Sequence, residues 1–532
     1  MVYKTILVQA GPDRGAPDRI RLAARLARAG DAHLVGAAAT GISRLLPAAM
    51  LAAGGAALAR QCAVLREAAR RALEDFGRIA AQEGVASVEA RLVDDEAGAG
   101  LSLQARYCDL AVVGQAEHDV VRPPQPPDLP DYLVLAGGRP LLVVPFAGCA
   151  PDLGAEAVVG WDGSVEAMRA LDGALPLLRT ARHTSVLAYA DQAPWPGDAA
   201  HPDLQLIAWL ARHGVAARLD RRSGKRGGNE LDDPARAVRP LARKHWIGGA
   251  TMFKTILVHV DLSVHAPARM HYAAAVAALH GAQLVGAAML GVSRVIFPHG
   301  YDERPGTLGA SYFEPLAEHA WLALSHFEEI ARRARVAHVS RFVSDQADDG
   351  LARLARFADL VVLSQDDPSE SVPDMAVHLP EYVILNSARP VLVVPRSDPP
   401  PYVNRKVLVG WNGSKEAAFA LHATLPLLRR SDEVHVAALG GPGLDEADLR
   451  AQQADLHRFL GQHRITPRLT LRFPQHAAQQ DAGHALLALA RELDCGTLVM
   501  GCYGHSRFRE LCLGGASRTV LADADIAVLM AH

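Results

Sequence analysis

Short apolar runs alternate with longer segments of helical period along the chain. In the first 150 residues the apolar runs predict five strands, at 6–8, 34–38, 88–93, 110–113 and 141–144. The segments between them predict helices at 19–29, 57–83 and 100–107. Apolar strands that alternate with helices are typical of a parallel sheet that is covered on both faces. Right-handed crossovers then favour the strand order 3-2-1-4-5.

This pattern occurs twice along the chain, at an offset of 250 positions (254 − 4 = 250). The string KTILV at 4–8 returns at 254–258, and His213 and His463 keep the same offset. Repeats of this length indicate a duplication of whole domains. The predicted fold class is therefore α/β, with a flavodoxin-like doubly wound parallel sheet of order 3-2-1-4-5 present in several copies.

The stretch MGCYGHSRFRELCLGGASRTVL, at 500–521, contains the clearest candidate site. It follows an apolar run at 497–500 that predicts a buried strand, and it leads into a predicted helix at 516–522. Two residues separate its first two glycines, and nine more precede a glycine pair. Glycines let the backbone approach a ligand closely, and the first amides of a helix have no partner within the helix. The stretch therefore predicts an anion site.

This glycine spacing resembles the nucleotide loop of the universal stress protein (UspA-type) family. Gly515 stands where that family usually has a hydroxyl residue, and Ser517 stands where it often has a second one. The string VLVGWNGS at 407–414 is similar to the first strand and turn of the family's domains, with Asn412 in place of the usual aspartate. The resemblance covers nearly the whole chain, as tandem universal stress domains.

The resemblance implies that the last domain binds one ATP-like adenine nucleotide, with or without Mg²⁺. Adenine and ribose would be held by Gly410, Trp411, Asn412, Gly413 and Ser414. The phosphates would be held by Met500, Gly501, Gly504, His505, Ser506, Arg507, Gly514, Gly515, Ala516 and Ser517. Because Asn412 carries no charge, we expect weaker ribose binding than an aspartate would give. Two roles are possible for the ring of Trp411, namely packing in the protein interior or stacking against adenine.

Four domains are expected, at 1–148, 149–250, 251–398 and 399–532, and only the last keeps the whole motif. The first and third have carboxylates such as Glu117 and Asp367 where glycines would bind phosphate. Because like charge disfavours an anion there, we expect both domains to be structural. In the second, IGGAT at 247–251 resembles LGGAS at 513–517 at an offset of 266, so 16 residues are missing (266 − 250 = 16). We expect its residues 220–250 to pack poorly and to bind no nucleotide.

Composition and charge limit the kinds of partner that the chain is expected to bind. With 55 basic and 58 acidic residues the formal net charge is −3, and aromatic residues make up 5%. Neither value favours a nucleic-acid surface. The longest uncharged run, at 45–59, is too short to span a membrane, and the N-terminal apolar run is too short for a signal peptide. These features predict a cytoplasmic protein without nucleic-acid or membrane partners.

The cysteines and histidines predict no metal site. None of the six cysteines forms a C-x-x-C pair, so reduced and mostly buried thiols are expected. The 23 histidines include a group without the H-E-x-x-H pattern, namely His259, His265, His271 and His280. Scattered surface or partly buried histidines are the expected outcome.

Three functions remain open from the sequence. The leading one is a regulatory module of the stress response that binds a nucleotide. The second is a scaffold that associates through apolar final strands, with 391–394 pairing with 526–529 inside the chain and 141–144 left to form a homo-oligomer. The third is a weak ATPase, for which the nearby acids are Glu510, Asp523 and Asp525. None of these acids occupies a position that forces a general base, so no catalytic residue is predicted.

Overall fold

The computed structural model describes most of the chain, namely residues 2–43, 55–115, 129–145, 155–189, 202–222, 253–293, 310–367, 369–370, 378–397, 405–439, 446–472, 482–502 and 515–532. The chain divides into two compact units. The first unit consists of Met1–Leu153, Asn412–His422 and Gly440–Leu469. The second unit consists of Gly154–Trp411, Ala423–Leu439 and Thr470–His532.

The first unit contains a five-stranded parallel sheet in the order β3-β2-β1-β4-β5. Its strands are β1 Thr5–Gln9, β2 His33–Ala39, β3 Val88–Val93, β4 Leu110–Gly114 and β5 Leu141–Val144. The predicted strands, their parallel pairing and the order 3-2-1-4-5 are thereby confirmed. The apolar faces of the central strands are buried, which is why these runs contain almost no polar residue.

The helices of the N-terminal segment are α1 Ala16–Gly30, α2 Gly55–Gln82, α3 Ala97–Ala105 and α4 Leu129–Ala136. Helix α4 was not predicted, because it begins in the proline-rich stretch at 123–130. Pro130 is its second residue, a position where the missing amide of proline costs no helical hydrogen bond. Two helices from the C-terminal quarter also contribute to this unit, α11 Lys415–Ala423 (through His422) and α13 Glu446–Gln462.

The second unit contains a small and a large sheet. The small sheet has the parallel order β6-β7-β8, formed by β6 Glu156–Trp161, β7 His183–Tyr189 and β8 Ala217–Arg222. Its three strands correspond to the first three strands of the five-stranded pattern. Of the segment predicted to pack poorly, residues 220–222 belong to β8, and the rest lies outside the described residues.

The large sheet joins two further copies of the pattern in the order β11-β10-β9-β12-β13-β18-β17-β14-β15-β16. Its strands are β9 Thr255–His259, β10 Gln283–Met289, β11 His338–Val343, β12 Leu360–Ser364, β13 Val391–Val394, β14 Lys406–Trp411, β15 Glu433–Leu439, β16 Pro467–Arg472, β17 Thr497–Gly501 and β18 Ala527–Ala531. The copies meet where β13 pairs antiparallel with β18, with Leu392 opposite Leu529. The predicted pairing of these final strands is confirmed.

The remaining helices are α5 Val165–Leu178, α6 Pro202–Arg212, α7 Ala266–His280, α8 Ala310–Arg333, α9 Ala347–Ala355, α10 Leu379–Asn386, α12 Leu425–Leu428, α14 Ala482–Glu492 and α15 Ala516–Asp523. Among the described residues, four cysteines have buried thiols, namely Cys62, Cys108, Cys495 and Cys502. Burial raises the pKa of the Cys108 thiol to about 12, so this thiol stays protonated at neutral pH. Within the described part of the chain, no helix is long and apolar enough to cross a membrane.

A glycine in the second strand of the pattern sets how closely a helix can pack on the sheet. A Cβ atom on Gly36 of β2 would lie 2.5 Å from the ring of Phe76, and one on Gly286 of β10 would lie 2.5 Å from the ring of Phe327. Both phenylalanines are completely buried. An interior this dense tolerates a ring shift only at the expense of other contacts.

We therefore expect Gly36→Ala to destabilise the first unit by about 1–3 kcal/mol through overpacking. Gly77→Ala is the matched control, because a Cβ atom there meets nothing within 4 Å and the residue lies inside α2. The control should stabilise by about 0.5–1 kcal/mol, since alanine has the higher helix propensity. Thermal unfolding of both variants measures the difference. Equal transition midpoints would contradict the close packing of Phe76 on Gly36.

Candidate functional site

The carboxyl ends of β14 and β17 bring together two parts of the predicted site. The two strands are parallel neighbours, and Gly410 lies opposite Met500. Strand β15 lies on one side of β14 and β17 on the other, so the chain leaves the sheet in opposite directions at this point. Such a switch point opens a crevice outside the carboxyl ends of the strands. Gly410 packs closely here, because a Cβ atom on it would lie 3.1 Å from Leu486.

Trp411, the last residue of β14, points into the protein interior. Its side chain is 1% exposed, which leaves no ring face open to a ligand. The structure thus agrees with the packing role for this side chain. Any contact that Trp411 makes with a bound molecule would come from its backbone.

The turn after β14 orients Asn412 and Ser414. Gly413 has φ of +71°, a left-handed conformation that favours glycine. The Asn412 side-chain oxygen Oδ1 accepts a hydrogen bond from the Ser414 amide at 3.1 Å. The Ser414 hydroxyl oxygen accepts one from the Ala417 amide at 3.1 Å and so caps α11. Asn412 itself is exposed, which keeps its remaining polar atoms accessible.

The same turn occurs after β6 in the second unit. Asp162 accepts from the Ser164 amide at 2.9 Å, Gly163 has φ of +74°, and the Ser164 hydroxyl accepts from the Ala167 amide at 3.0 Å. The turn therefore forms with aspartate or with asparagine at its first position. Asn412 changes the charge of the turn without changing its hydrogen bonds.

An arginine that the sequence did not single out contacts each of these turns. In the first unit, the Arg106 guanidinium donates to the carbonyl oxygen of Gly413. In the second unit, Arg356 donates in the same way to the carbonyl oxygen of Gly163. The two arginines stand 250 positions apart, as do the two glycines, so the repeat offset was the signal that could have revealed them. Arg106 brings a positive charge to the turn that contains Asn412.

Helix α15 begins after the predicted phosphate loop. Gly515 is its N-cap residue, with φ −83° and ψ 152°, and a glycine has no side chain with which to cap the helix. Because any residue can adopt these angles, the glycine is not required by backbone strain at this position. Ser517, in the first turn, is buried.

Part of the predicted site lies outside the described residues, namely Gly504, His505, Ser506, Arg507 and Gly514. The same holds for Glu510, one of the three acids considered for hydrolysis. The other two form ion pairs near the surface. Asp523 lies 3.2 Å from a ring nitrogen of His484, and Asp525 accepts from Arg491 at 2.8 Å.

The corresponding edge of the third predicted domain holds a group of ligand-type residues that the sequence did not predict. His265, Asp367 and Glu370 each present one atom, and these atoms all lie within 4.8 Å of one another. His265 was counted among scattered histidines because its partners are more than 100 positions away along the chain. Only the folded sheet brings β9 and β12 side by side.

The comparisons with known proteins identify the C-terminal part of the chain. Residues 404–532 match the model of the universal stress protein family. A universal stress protein from Archaeoglobus fulgidus DSM 4304 is 17% identical, over 52% of this chain and 95% of that one, with a TM-score of 0.40. A family member from Burkholderia pseudomallei is 24% identical, over 28% of this chain and 99% of that one, with a TM-score of 0.21.

A third solved structure, of a universal stress protein in complex with cAMP, is 19% identical, over 27% of this chain and 98% of that one, with a TM-score of 0.22. No curated protein matched the chain. The matched residues contain β14 to β18 in the strand order expected of such a domain. Residues 404–532 thus match the universal stress protein family as one domain of this chain.

Proposed function

We propose that the chain binds an adenine nucleotide such as ATP in its C-terminal domain and acts as a regulatory module of the stress response. The observation that supports this most is the switch point between β14 and β17, with Gly410 opposite Met500. Ligands of doubly wound sheets bind at such points. The family match of residues 404–532 covers both strands.

In this proposal the turn after β14 holds the ribose. Oδ1 of Asn412 accepts one hydrogen bond from Ser414 and can accept a second one from a ribose hydroxyl. Arg106 donates to the carbonyl oxygen of Gly413, so a fixed positive charge lies beside the turn. A positive charge favours a polyanionic ligand.

The phosphates would lie at the amino end of α15. Its first amides have no partner within the helix, and the helix dipole favours negative charge there. His505 and Arg507 would add charge-assisted hydrogen bonds from the loop. Asp523 and Asp525 are engaged in surface ion pairs, which favours binding over hydrolysis in this proposal.

Calorimetric titration with ATP tests the proposal on the full-length chain. We expect the wild type to bind one equivalent and Gly504→Asp to give no heat above background, since the new carboxylate would repel the phosphates. Gly461→Asp is the matched control, because it adds the same charge at a position in α13 where a Cβ atom meets nothing within 4 Å. Wild type that gives no heat, or Gly504→Asp that binds as tightly as wild type, would sink the proposal.

The same titration tests the role of Asn412. We expect Asn412→Asp to tighten ATP binding several-fold, because a carboxylate accepts more strongly from ribose hydroxyls. Asp162→Asn makes the reverse change in the equivalent turn of the second predicted domain and should leave binding unchanged.

Release of phosphate from ATP in the presence of Mg²⁺ by the wild type, and its loss in Gly504→Asp, would instead support the weak ATPase.

A scaffold is the competing function, and strand β5 favours it. Val393 of β13 is 3% exposed under its partner β18, whereas Val143 at the same position of β5 is 39% exposed. Among the described residues of the first unit, no strand pairs with the outer edge of β5. Such an edge is available to a second chain. No heat with ATP, together with a sedimentation coefficient that rises with protein concentration, would favour the scaffold.

A further inference from the structure

The third predicted domain places three metal-ligand side chains at its own switch point. Strands β9 and β12 are parallel neighbours, with Val258 opposite Val362. His265 is the N-cap residue of α7, which follows β9, and Asp367 and Glu370 follow β12. Because the carboxyl ends of parallel strands meet at one edge, the three side chains converge where a doubly wound domain binds its ligand.

The distances suit a small cation. Nε2 of His265 lies 2.9 Å from Oδ2 of Asp367 and 3.9 Å from Oε2 of Glu370. Bonds of about 2.0–2.1 Å to a tetrahedral zinc ion place two ligand atoms roughly 3.3 Å apart. The two observed distances bracket that separation. The three ligand atoms all lie within 4.8 Å of one another, so shifts of at most about 1.5 Å bring them into coordination range.

Each carboxylate already has one oxygen fixed and the other directed at His265. Oδ1 of Asp367 accepts from the Ser369 amide at 2.9 Å and from the Ser369 hydroxyl at 2.6 Å. Oε1 of Glu370 accepts from the Val264 amide at 2.6 Å. Outer hydrogen bonds of this kind orient the ligands of protein metal sites.

The second oxygen of Glu370 is the strongest pointer to a missing ligand. Oε2 is buried and has no hydrogen-bond partner. A buried carboxylate oxygen without a partner is destabilising unless something compensates its charge. Arg269, a buried arginine of the same helix as His265, makes its hydrogen bonds elsewhere, because it donates to Asp261 at 2.7 Å and to the carbonyl oxygen of His259 at 2.8 Å.

We propose that His265, Asp367 and Glu370 bind a divalent transition-metal ion of the zinc type, with water at the fourth position. One imidazole and two carboxylates match the donors that zinc prefers, whereas Mg²⁺ and Ca²⁺ take oxygen ligands. The position equivalent to His265 in the first predicted domain, 250 positions earlier, is Gly15, which has no ligand atom in a side chain (265 − 250 = 15). The proposed site therefore belongs to the third predicted domain and not to the first. In this proposal the third predicted domain has acidic residues at its switch point because they bind a cation there, where the fourth domain would bind phosphate.

The test uses the full-length protein, freed of metal with a chelator and titrated with Zn²⁺ alone. We expect one tight equivalent in the wild type. His265→Gln and Glu370→Gln should each weaken it more than about tenfold, since even outer-shell changes cost 10–100-fold. His271→Gln is the matched control, because His271 is exposed on the same helix. Wild type that keeps no zinc through dialysis, or His265→Gln that binds as tightly as wild type, overturns the proposal.

Two further measurements separate this site from other outcomes. Co²⁺ in place of Zn²⁺ should give the intense visible absorption of a tetrahedral ion in the wild type and lose it in His265→Gln. Circular dichroism of the metal-free variants should equal that of the metal-free wild type, which distinguishes loss of a ligand from misfolding. Gly504→Asp should bind zinc like the wild type, so failure of the nucleotide proposal leaves this one standing.

Discussion

Asp109→Asn is expected to destabilise the first unit by about 3–5 kcal/mol, because it breaks a buried ionic network by removing one partner. Asp109 is 3% exposed. Its Oδ2 accepts from the amides of Lys4 and Thr5 at 2.6 and 2.9 Å, and its Oδ1 lies 3.0 Å from Nε2 of His463. His422 and Arg139 lie nearby, at 3.3 and 3.9 Å from Oδ1. Thermal unfolding should show a shift of about 6–20 °C in the transition of this unit.

The pH dependence of this effect has a definite sign. Burial by itself would raise the pKa of Asp109, but the charge and hydrogen bonds of His463 and His422 outweigh it and hold the pKa well below its usual range. The carboxylate therefore contributes its full stability above its unfolded pKa of about 3.9, and the contribution is lost as pH falls below that value. Wild type and Asp109→Asn should differ most at neutral pH and converge in strong acid.

Asp18→Asn is the control for this substitution, because Asp18 pairs with Arg21 on the surface. We expect it to cost no more than about 1 kcal/mol, the usual limit for an exposed ion pair. A double variant, Asp109→Asn with His463→Gln, should cost less than the sum of the single changes, because the two residues interact directly. Equal effects of Asp109→Asn and Asp18→Asn would contradict the buried network.

His280 is expected to make the second unit acid-labile. It is 1% exposed, its ring lies 4.7 Å from that of Phe253, and neither of its nitrogens has a hydrogen-bond partner. Burial, and to a lesser extent the charge of Arg430, lower the pKa of His280 to about 4, although the charge of Asp359 opposes both. Between pH 6.5 and 4 the unfolded chain therefore binds a proton that the folded protein does not. Stability is unaffected above pH 6.5 and falls by about 3 kcal/mol as pH drops to 4.

His280→Leu removes this titration with a side chain of similar size. We expect the variant to be at least as stable as wild type at pH 8 and about 3 kcal/mol more stable near pH 4, measured as the difference between their urea unfolding curves. His271→Gln, which changes an exposed histidine of the same helix, should track the wild type at every pH. A constant difference between His280→Leu and wild type across this range would show that His280 is not buried as a neutral ring.

The sequence predicted the repeated domain pattern because the strands obey local rules. The runs at 88–93 and 141–144 coincide with β3 and β5, and the order 3-2-1-4-5 follows from apolar strands joined by right-handed crossovers. Helix α4 was missed because prolines usually mark loops, whereas proline in the first turn is compatible with a helix. In the candidate site, the neighbouring positions of Gly410 and Met500 were predictable for the same topological reason.

The repeat offset showed that His213 and His463 correspond, but it did not reveal their partners. In the second unit Nε2 of His213 lies 3.0 Å from Asp359, and in the first unit His463 pairs with Asp109, which is 354 positions away. Burial of an aspartate requires such a partner, yet the side chain that supplies it comes from a different copy of the repeat. The repeat in the sequence does not predict which histidine pairs with which buried aspartate.

By itself the sequence determined the strands and their order, because these depend on hydrophobic period and on short-range chain geometry. It also predicted a phosphate loop from the glycine spacing at 501–515, which stays a prediction. Only the tertiary structure decided which copies share a compact unit, that Arg106 lies on the turn after β14, and that His265 meets Asp367 and Glu370. Those contacts join residues more than 100 positions apart. They depend on how finished domains pack, which the hydrophobic pattern of a single segment does not encode.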